Sequence, residues 1–523
     1  MNGNQVDTVS EIVEKKNENS ATLDHALHVA GLGWYNVKYC LVLALFLIGA
    51  IVEPVGYSYI LPSSKCDLSI TDGQRGFLAS VPYIGIVLTS FPWGYLVDTR
   101  GRKKSLILSS LAAGLFVVLS AFMPDFISFT VCKFLSALCI ACPAAVPYTF
   151  IGELVPLKYR DITLSVTNAM QILGSAIVPL FAWAILPLEF RVDFGAYEFR
   201  PWRLLTIMYG SIFIIAALLL ICGPESPKYM ISQGRFDETL DLLRMMYAKN
   251  KRKSPDEYPI KSLNTDEYVK KEKPGFFTSL KVQSVPLFKP PFLKWMALNS
   301  TIFFGIFSTI NGLNVWIPDV LNRVLTGDSE GVTACEVIAQ RLNSTADDFA
   351  ECDDTLDTMT FLINSVANVT CAVIAIVVSS TVKVIGKKNL LIAVQLIIGL
   401  FCILINVVTQ DILFAIFLSA LPVLGLAIGP VNAYAVEIFP THLRGMAVSL
   451  SMMIGRVGSV FGANVAGVML NAVCEATFYF FGGFLMCKLK FNFISPMDFN
   501  GPKQQDDRKS TENKYLIFLF NKN

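Results

Sequence analysis

Runs of about twenty apolar residues recur along this chain, and no other feature limits its fold so severely. At about 1.5 Å of helix rise per residue, each run can cross roughly 30 Å of hydrocarbon. With 53% hydrophobic and only 16% charged residues, a chain of 523 residues lacks the polar side chains to clothe a water-facing surface. Hydropathy windows of about nineteen residues place spans at Tyr39–Leu61, Gly76–Val97, Ser105–Met123, Ile127–Ile151, Ile162–Leu186 and Leu204–Cys222. A second set lies at Trp295–Leu321, Met359–Val384, Leu390–Val408, Ile412–Val436 and Met446–Leu470. The last run, Ala476–Cys487, would reach only about 18 Å as a helix.

This pattern predicts an all-α membrane protein of two six-helix bundles, with about 12 transmembrane helices and the last one short. The expected divisions are an N-terminal segment (1–38), an N-terminal bundle (39–222), a polar central loop (223–291), a C-terminal bundle (292–487) and a polar tail (488–523). A surface helix is expected at Phe236–Tyr247 in the central loop. Arg100, Arg102, Lys103, Lys104 and the Lys-rich central loop share one face, which the positive-inside bias assigns to the cytosol. The N-terminal segment has no signal-peptide pattern and is expected on the same face.

Loop 322–358 falls on the opposite face and carries the sequon Asn343-Ser344-Thr345. A glycan on Asn343 and a disulfide between Cys335 and Cys352 are expected there. Cys132, Cys139, Cys142, Cys371 and Cys402 lie inside apolar runs and read as packing residues. A net charge of +2, with its cations in loops, gives no reason to expect a nucleic-acid partner.

The two halves share a repeat. Glu153-Leu-Val-Pro156-Leu-Lys-Tyr-Arg160 follows the fourth span, and Glu437-Ile-Phe-Pro440-Thr-His-Leu-Arg444 follows the tenth. Both read E-x-x-P-x-x-x-R, as parallel repeats would. Between spans two and three stands Gly94-Tyr-Leu-Val-Asp98-Thr-Arg-Gly101-Arg102-Lys-Lys, echoed by Gly386-Lys387-Lys388 in the second half. Together these motifs resemble the signatures of the major facilitator superfamily.

Glycine at Gly94 allows close helix approach, Asp98 can meet a helix N-terminus or the loop arginine, and Gly101 permits a tight turn. The resemblance implies that these groups, with Arg102, Glu153, Arg160, Glu225, Glu437 and Arg444, form cytosolic gate motifs. Their basic residues are also topology anchors, which is the plainer reading. Gly223-Pro-Glu225-Ser-Pro227-Lys228 resembles the P-E-S-P-R signature of the sugar-porter and organic-ion branches, with Lys228 in place of Arg. Asp72-Gly-Gln-Arg75-Gly76, Ala182-Trp183-Ala-Ile-Leu-Pro187 and Val315-Trp316-Ile-Pro-Asp319 are most similar to the synaptic vesicle glycoprotein 2 family. That family's long N-terminal extension and large luminal domain have no counterpart here.

A charge at mid-membrane costs about 2.5–3.5 kcal/mol on insertion scales, so each requires a partner or a wet cavity. Glu53, Lys133 and Arg456 lie in spans one, four and eleven. The resemblance implies an acidic role for Glu53 and a basic one for Arg456. Glu53 is expected to titrate or bind a cationic group with Lys133 as its ion-pair partner, and Arg456 to attract an anionic group. A static buried pair is the alternative. Trp183 and Trp316 resemble family tryptophans that close over a ligand, with interfacial anchoring as the alternative. Asn311, Asn314 and Asn432 are further cavity candidates, although such residues more often join helices.

No phosphate-binding loop, nucleophile elbow or metal-ligand spacing occurs, so no enzymatic activity, cofactor or metal is expected. The resemblance implies a secondary transporter of a small organic solute or ion, working by alternating access as a monomer, with protons as the candidate coupling ion. The membrane is the plasma membrane or that of an intracellular vesicle. A binding or trafficking protein like the synaptic vesicle glycoproteins and a sugar porter are the other readings.

Overall fold

The computed structural model describes residues 20–264, 278, 281–282, 284–326, 332–344, 355–439 and 441–487. Hydrocarbon offers a backbone amide no partner, so each apolar run closes its own hydrogen bonds as a helix. After a short α1 (Leu23–Ala30), the first half runs α2 (Trp34–Ser63), α3 (Asp72–Arg100), α4 (Arg102–Ser120), α5 (Phe126–Leu154), α6 (Leu157–Ile185) and α7 (Pro201–Ile221). The central segment supplies α8 (Pro227–Ser232) and α9 (Phe236–Lys251). The second half runs α10 (Phe292–Asn314), α11 (Ile317–Leu325), α12 (Ala334–Ser344), α13 (Thr358–Ile385), α14 (Lys387–Leu404), α15 (Asp411–Ser419), α16 (Ile428–Ile438), α17 (Thr441–Ala472) and α18 (Cys474–Cys487). Eleven helical stretches among the described residues are long and apolar enough to cross a membrane, as expected from the hydropathy.

Two spans differ from their sequence reading. The seventh ends at Asn314 and restarts as α11, whose second residue is Pro318. The tenth is broken: α15 gives way to a 3-10 stretch over Leu421–Ala427, where Pro422 and Gly425 interrupt the α-helical ladder, before α16 resumes. The turn at Gly101 takes φ +104°, and Gly386 takes φ +84° at the equivalent turn of the second half. Both positions favour glycine because a side chain is strained there. The repeat seen in the sequence is thus a repeat of backbone conformation.

In lipid the helices gain nothing from burying apolar surface against one another, so close packing and hydrogen bonds must hold the bundle. Helices α10 and α17 show this best. A Cβ on Gly462 would lie 2.1 Å from the Ser308 carbonyl oxygen, and one on Gly458 2.4 Å from that of Phe304. Across the same seam Asn299 Nδ2 donates to Ser451 Oγ and Asn311 Nδ2 to Ser459 Oγ, each at 2.8 Å. The two halves meet through α3 against α17 and α6 against α13.

The short last helix is built into the second bundle, with Thr477, Phe478, Phe481 and Leu485 buried and Gly482 close against Gly399 of α14. Its start is covalently held. Cys335 is bonded to Cys474, with Cα atoms 5.5 Å apart, which corrects the expected pairing with Cys352. Cys66 is disulfide-bonded as well. Cys352, the side chain of Asn343 and the tail 488–523 lie outside the described residues.

On the face that carries Arg102 and the central segment α1 packs against α9, Tyr258 Oη donates to the Ala26 carbonyl at 2.8 Å, and β1 (Ser20–Ala21) pairs in parallel with β4 (Ser262–Leu263). A two-residue hairpin, β2 (Val192–Asp193) with β3 (Glu198–Phe199), lies between α6 and α7. Replacing Gly462 with Leu is expected to force α10 and α17 apart. The variant should lose its monodisperse peak in detergent size-exclusion chromatography, whereas Gly483→Ala, where a Cβ meets nothing within 4 Å, should elute as wild type.

Candidate functional site

Two intramembrane charges are brought together and sealed. Lys133 Nζ of α5 donates to Glu53 Oε1 of α2 at 3.2 Å, and both side chains are 1% exposed. One turn beyond Glu53, the Tyr57 ring lies under the ammonium at 4.8 Å from its centroid, with Phe129 at 5.6 Å on the lysine's own helix. The cation is therefore neutralised by a carboxylate and solvated by aromatic faces. At 1% exposure neither charge is presented to a solute.

Arg456 is different. It projects from α17 to the other half of the molecule, where Nη1 donates to Ser90 Oγ of α3 at 3.1 Å. It is half-buried and takes no carboxylate partner among the described residues. In a bilayer an uncompensated guanidinium must face water or a ligand. The Asn432 Oδ1 of α16, just past the break in the tenth span, is buried with no hydrogen-bond partner among the described residues. Asn311 is occupied by Ser459, and Asn314 is half-buried at the end of α10.

A polar trio escaped the sequence reading. Tyr148 Oη of α5 lies 2.5 Å from Gln171 Oε1 and 3.2 Å from Asn168 Oδ1, both on α6. None of the three is fully buried, and polar groups at that depth belong to a wet cavity. Their signal was available as Asn168 and Gln171, three residues apart and so on one face of an apolar run.

At the end of the bundle opposite Arg102, a second charge pair spans the halves. Arg75 of α3 lies 3.2 Å from Asp319 of α11, whose carboxylate also binds Arg323 at 2.9 Å. The Arg75 guanidinium stacks on Trp316, 4.7 Å from the ring centroid. Trp316 in turn occupies space that a Cβ on Gly467 of α17 would enter at 2.8 Å. Burial opposes ionisation of Asp319, but Arg75 and Arg323 outweigh it and hold its carboxyl below its ordinary value. The bridge is thus present at neutral and mildly acidic pH and is lost only as pH falls below the ordinary carboxylate range. Trp316 is 3% exposed and Trp183 38%, and the two make no ring contact. Both partners of this bridge lie in quoted motifs, Asp72–Gly76 and Val315–Asp319, at the same membrane face.

The expected gate motifs knot together within the first half. Arg102 binds Glu153 at 3.1 Å and the exposed Asp98 at 3.4 Å. Glu225 Oε1 accepts from the Lys103 and Ser226 amides at 3.0 and 2.9 Å, and Ser226 Oγ donates to Glu153. Arg160 meets Asp24 at 3.6 Å. Gly94 has nothing among the described residues within 4 Å of an added Cβ, so that face of α3 is open there, although Trp93 Nε1 beside it donates to the Leu138 carbonyl and the Thr99 carbonyl accepts from Tyr229 Oη. In the second copy of the motif, Arg444 Nε is buried with no partner among the described residues, and the side chain of Glu437 lies outside them.

The Major Facilitator Superfamily profile matches residues 39–335. The chain belongs to this superfamily. It is 24% identical over 340 residues to bovine synaptic vesicle glycoprotein 2A, covering 60% of this chain and 45% of that protein. To mouse synaptic vesicle glycoprotein 2C it is 26% identical over 322 residues, covering 56% and 44%. The chain therefore spans under half the length of these relatives. The partially occluded inward-open xylose transporter XylE from E. coli superposes with a TM-score of 0.64 at 15% identity, over 89% of this chain and 99% of the other. The nucleoside transporter NupG gives 0.59 at 10% identity, over 87% and 98%. These structures establish the major facilitator fold of a multi-pass membrane protein.

Within that fold the two buried pairs have separable consequences. Glu53→Gln leaves an unpaired ammonium in the first bundle, a loss of about 3–5 kcal/mol. The variant should melt well below wild type in detergent, and combining it with Lys133→Met should restore most of the loss. Asp319→Asn removes the carboxylate that lies between the buried Arg75 and Arg323, so it should lower melting as well and, in addition, loosen the seam between the halves on the side opposite Arg102. Labelling of Ala463→Cys by an impermeant thiol reagent added from that side should rise severalfold; an unchanged rate would show that charge does not hold the seam.

Proposed function

We propose that the chain is a secondary transporter of a small organic anion, working by alternating access of the two halves around Arg456. The observation that carries this reading is the charge balance of the bundle interior. Glu53 is cancelled and sealed by Lys133, while Arg456 reaches across the seam to a neutral serine and retains its full positive charge. A cationic solute would find no free carboxylate at this position among the described residues, whereas a carboxylate or phosphate-like group could take both guanidinium donors. Asn432, with its unpartnered oxygen, and the Tyr148, Asn168 and Gln171 trio would supply polar contacts for the rest of the solute.

The asymmetry of the seam supports an inward-facing state. The extracytosolic end is held by Arg75, Asp319 and Trp316, and the cytosolic end at Gly94 is open. Binding of an anion to Arg456 would release it from Ser90 and so couple solute to the contact between α3 and α17. We read the Glu53–Lys133 pair as a tie within the first bundle, protons remaining the candidate coupling ion, and the working unit as a monomer.

Uptake into proteoliposomes, screened across organic anions, cations and sugars with and without a pH gradient, tests this. Anion uptake should exceed that of cations and sugars. Arg456→Ala should lower it at least tenfold, and Arg456→Lys should retain part of it, because lysine keeps the charge and loses the fork. Equal anion uptake by wild type and Arg456→Ala would overturn the proposal. A second reading, a vesicle-membrane protein with a binding role and little transport, is favoured by the similarity to synaptic vesicle glycoproteins, and absence of any accumulation would select it.

A further inference from the structure

We propose that the corner where the start of α2 meets the end of α9 is a seat for the headgroup of an anionic phospholipid of the cytosolic leaflet. Trp34, Val37, Lys38 and Leu41 fall at i, i+3, i+4 and i+7, one stripe on α2. All four are exposed, Trp34 at 73%, while Tyr35, Asn36 and Tyr39 on the opposite side are buried. The stripe places an amphipathic ring and an ammonium at the membrane boundary and an aliphatic surface below them, the order of a lipid's headgroup and chains.

Helix α9 adds charge to this boundary because Asn250 fastens it there. Its Oδ1 accepts from the Tyr35 amide at 3.2 Å, and its Nδ2 donates to the Gly31 carbonyl at 3.0 Å and to Asn36 Oδ1 at 2.7 Å. Gly33 makes room, since a Cβ there would lie 2.7 Å from Asn250. Lys249 Nζ then stands 5.4 Å from the Tyr35 ring, whose edge-to-face partner Tyr39 carries Lys38 Nζ at 5.5 Å. Lys251 Cε comes within 3.6 Å of where a Cβ on Gly31 would be.

The charges here are unbalanced. Arg235, Arg244 and Lys253 of the same segment are paired with Glu238, Asp241 and Glu257. Lys38, Lys249, Lys251 and Arg252 take no carboxylate among the described residues. A helix C-terminus favours cations, which accounts for Lys249 and Lys251 as charges but not for their alignment with Trp34 and the stripe below it. The cytosolic leaflet is the anionic one, and each cation near such a surface strengthens attachment roughly fivefold.

The test uses the full chain and three Lys→Gln substitutions (Lys38, Lys249, Lys251) that leave the superfamily motifs and Arg456 untouched. In native mass spectrometry, wild type should retain phosphatidylserine over phosphatidylcholine by at least tenfold, and the triple variant should retain the two equally while melting as wild type in phosphatidylcholine. Undiminished preference in the triple variant would overturn the proposal. An independent readout needs no lysine variant. In mixed vesicles the fluorescence attributable to Trp34, taken as the difference from Trp34→Phe, should be quenched more by brominated phosphatidylserine than by brominated phosphatidylcholine. Equal quenching would overturn it, as would displacement of the lipid by an equal concentration of soluble glycerophosphoserine.

Discussion

Everything in this molecule answers to a solvent that cannot accept a hydrogen bond or screen a charge. That constraint forces the backbone into helices and leaves each intramembrane charge two choices, a buried partner or a wet cavity. Lys133 takes the first, with Glu53 at 3.2 Å and the Tyr57 face beside it. Arg456 has no carboxylate partner among the described residues, and its Nη1 donates to the Ser90 hydroxyl opposite. Two intramembrane cations thus have different fates, and the difference lies in what stands across the helix seam. A buried ion pair in one half stiffens that half. The Arg456 cation instead links one half to the other through a neutral hydroxyl.

The seam itself is graded along the membrane normal. At the end opposite Arg102, Gly76 and Gly467 let α3 and α17 approach, and the Arg75, Asp319 and Trp316 cluster fills the space that remains. At mid-membrane a single hydrogen bond joins the helices through Arg456. At Gly94 nothing among the described residues lies within 4 Å of an added Cβ. By contrast, the α10–α17 packing within the second half is tight along its length, with Gly455, Gly458 and Gly462 all approached more closely than a Cβ would allow. The seam between the halves is thus charged at one end and bridged by one polar contact further along, while the seam within the second half is close-packed throughout.

The fold was legible in the sequence because bilayer thickness sets run length and the repeat marks the halves. Gly101 and Gly386 were legible for a similar reason, since only a special backbone conformation needs glycine at a turn. The site was less so. Charge inside an apolar run singles out Glu53, Lys133 and Arg456 and led to the expected Glu53–Lys133 pair, but that the pair is sealed while Arg456 faces Ser90 depends on how helices rotate about their axes, and no local pattern encodes that. Arg75 and Asp319 sit at span ends, where charge is ordinary, and 244 residues apart; only the folded bundle sets them side by side. Asn168 and Gln171 carry no charge, so the cost that makes ionisable residues conspicuous is absent.

The disulfide shows the same limit in covalent form. Cys335 and Cys352 are near in sequence, and loop closure favours near pairs by only a weak logarithm of length. What decides the partner is where α12 packs, and it packs against the start of α18. Cys474, 139 residues away, is therefore the neighbour. This bond also bears on the shortness of the last helix. Fourteen residues reach about 21 Å, less than a full crossing. A helix that short has little hydrophobic length to fix its depth, so its position must come from contacts. The bond at Cys474, the Asn406 amide donating to the Glu475 carbonyl at 3.0 Å, and Phe481 and Leu485 buried within the bundle supply them.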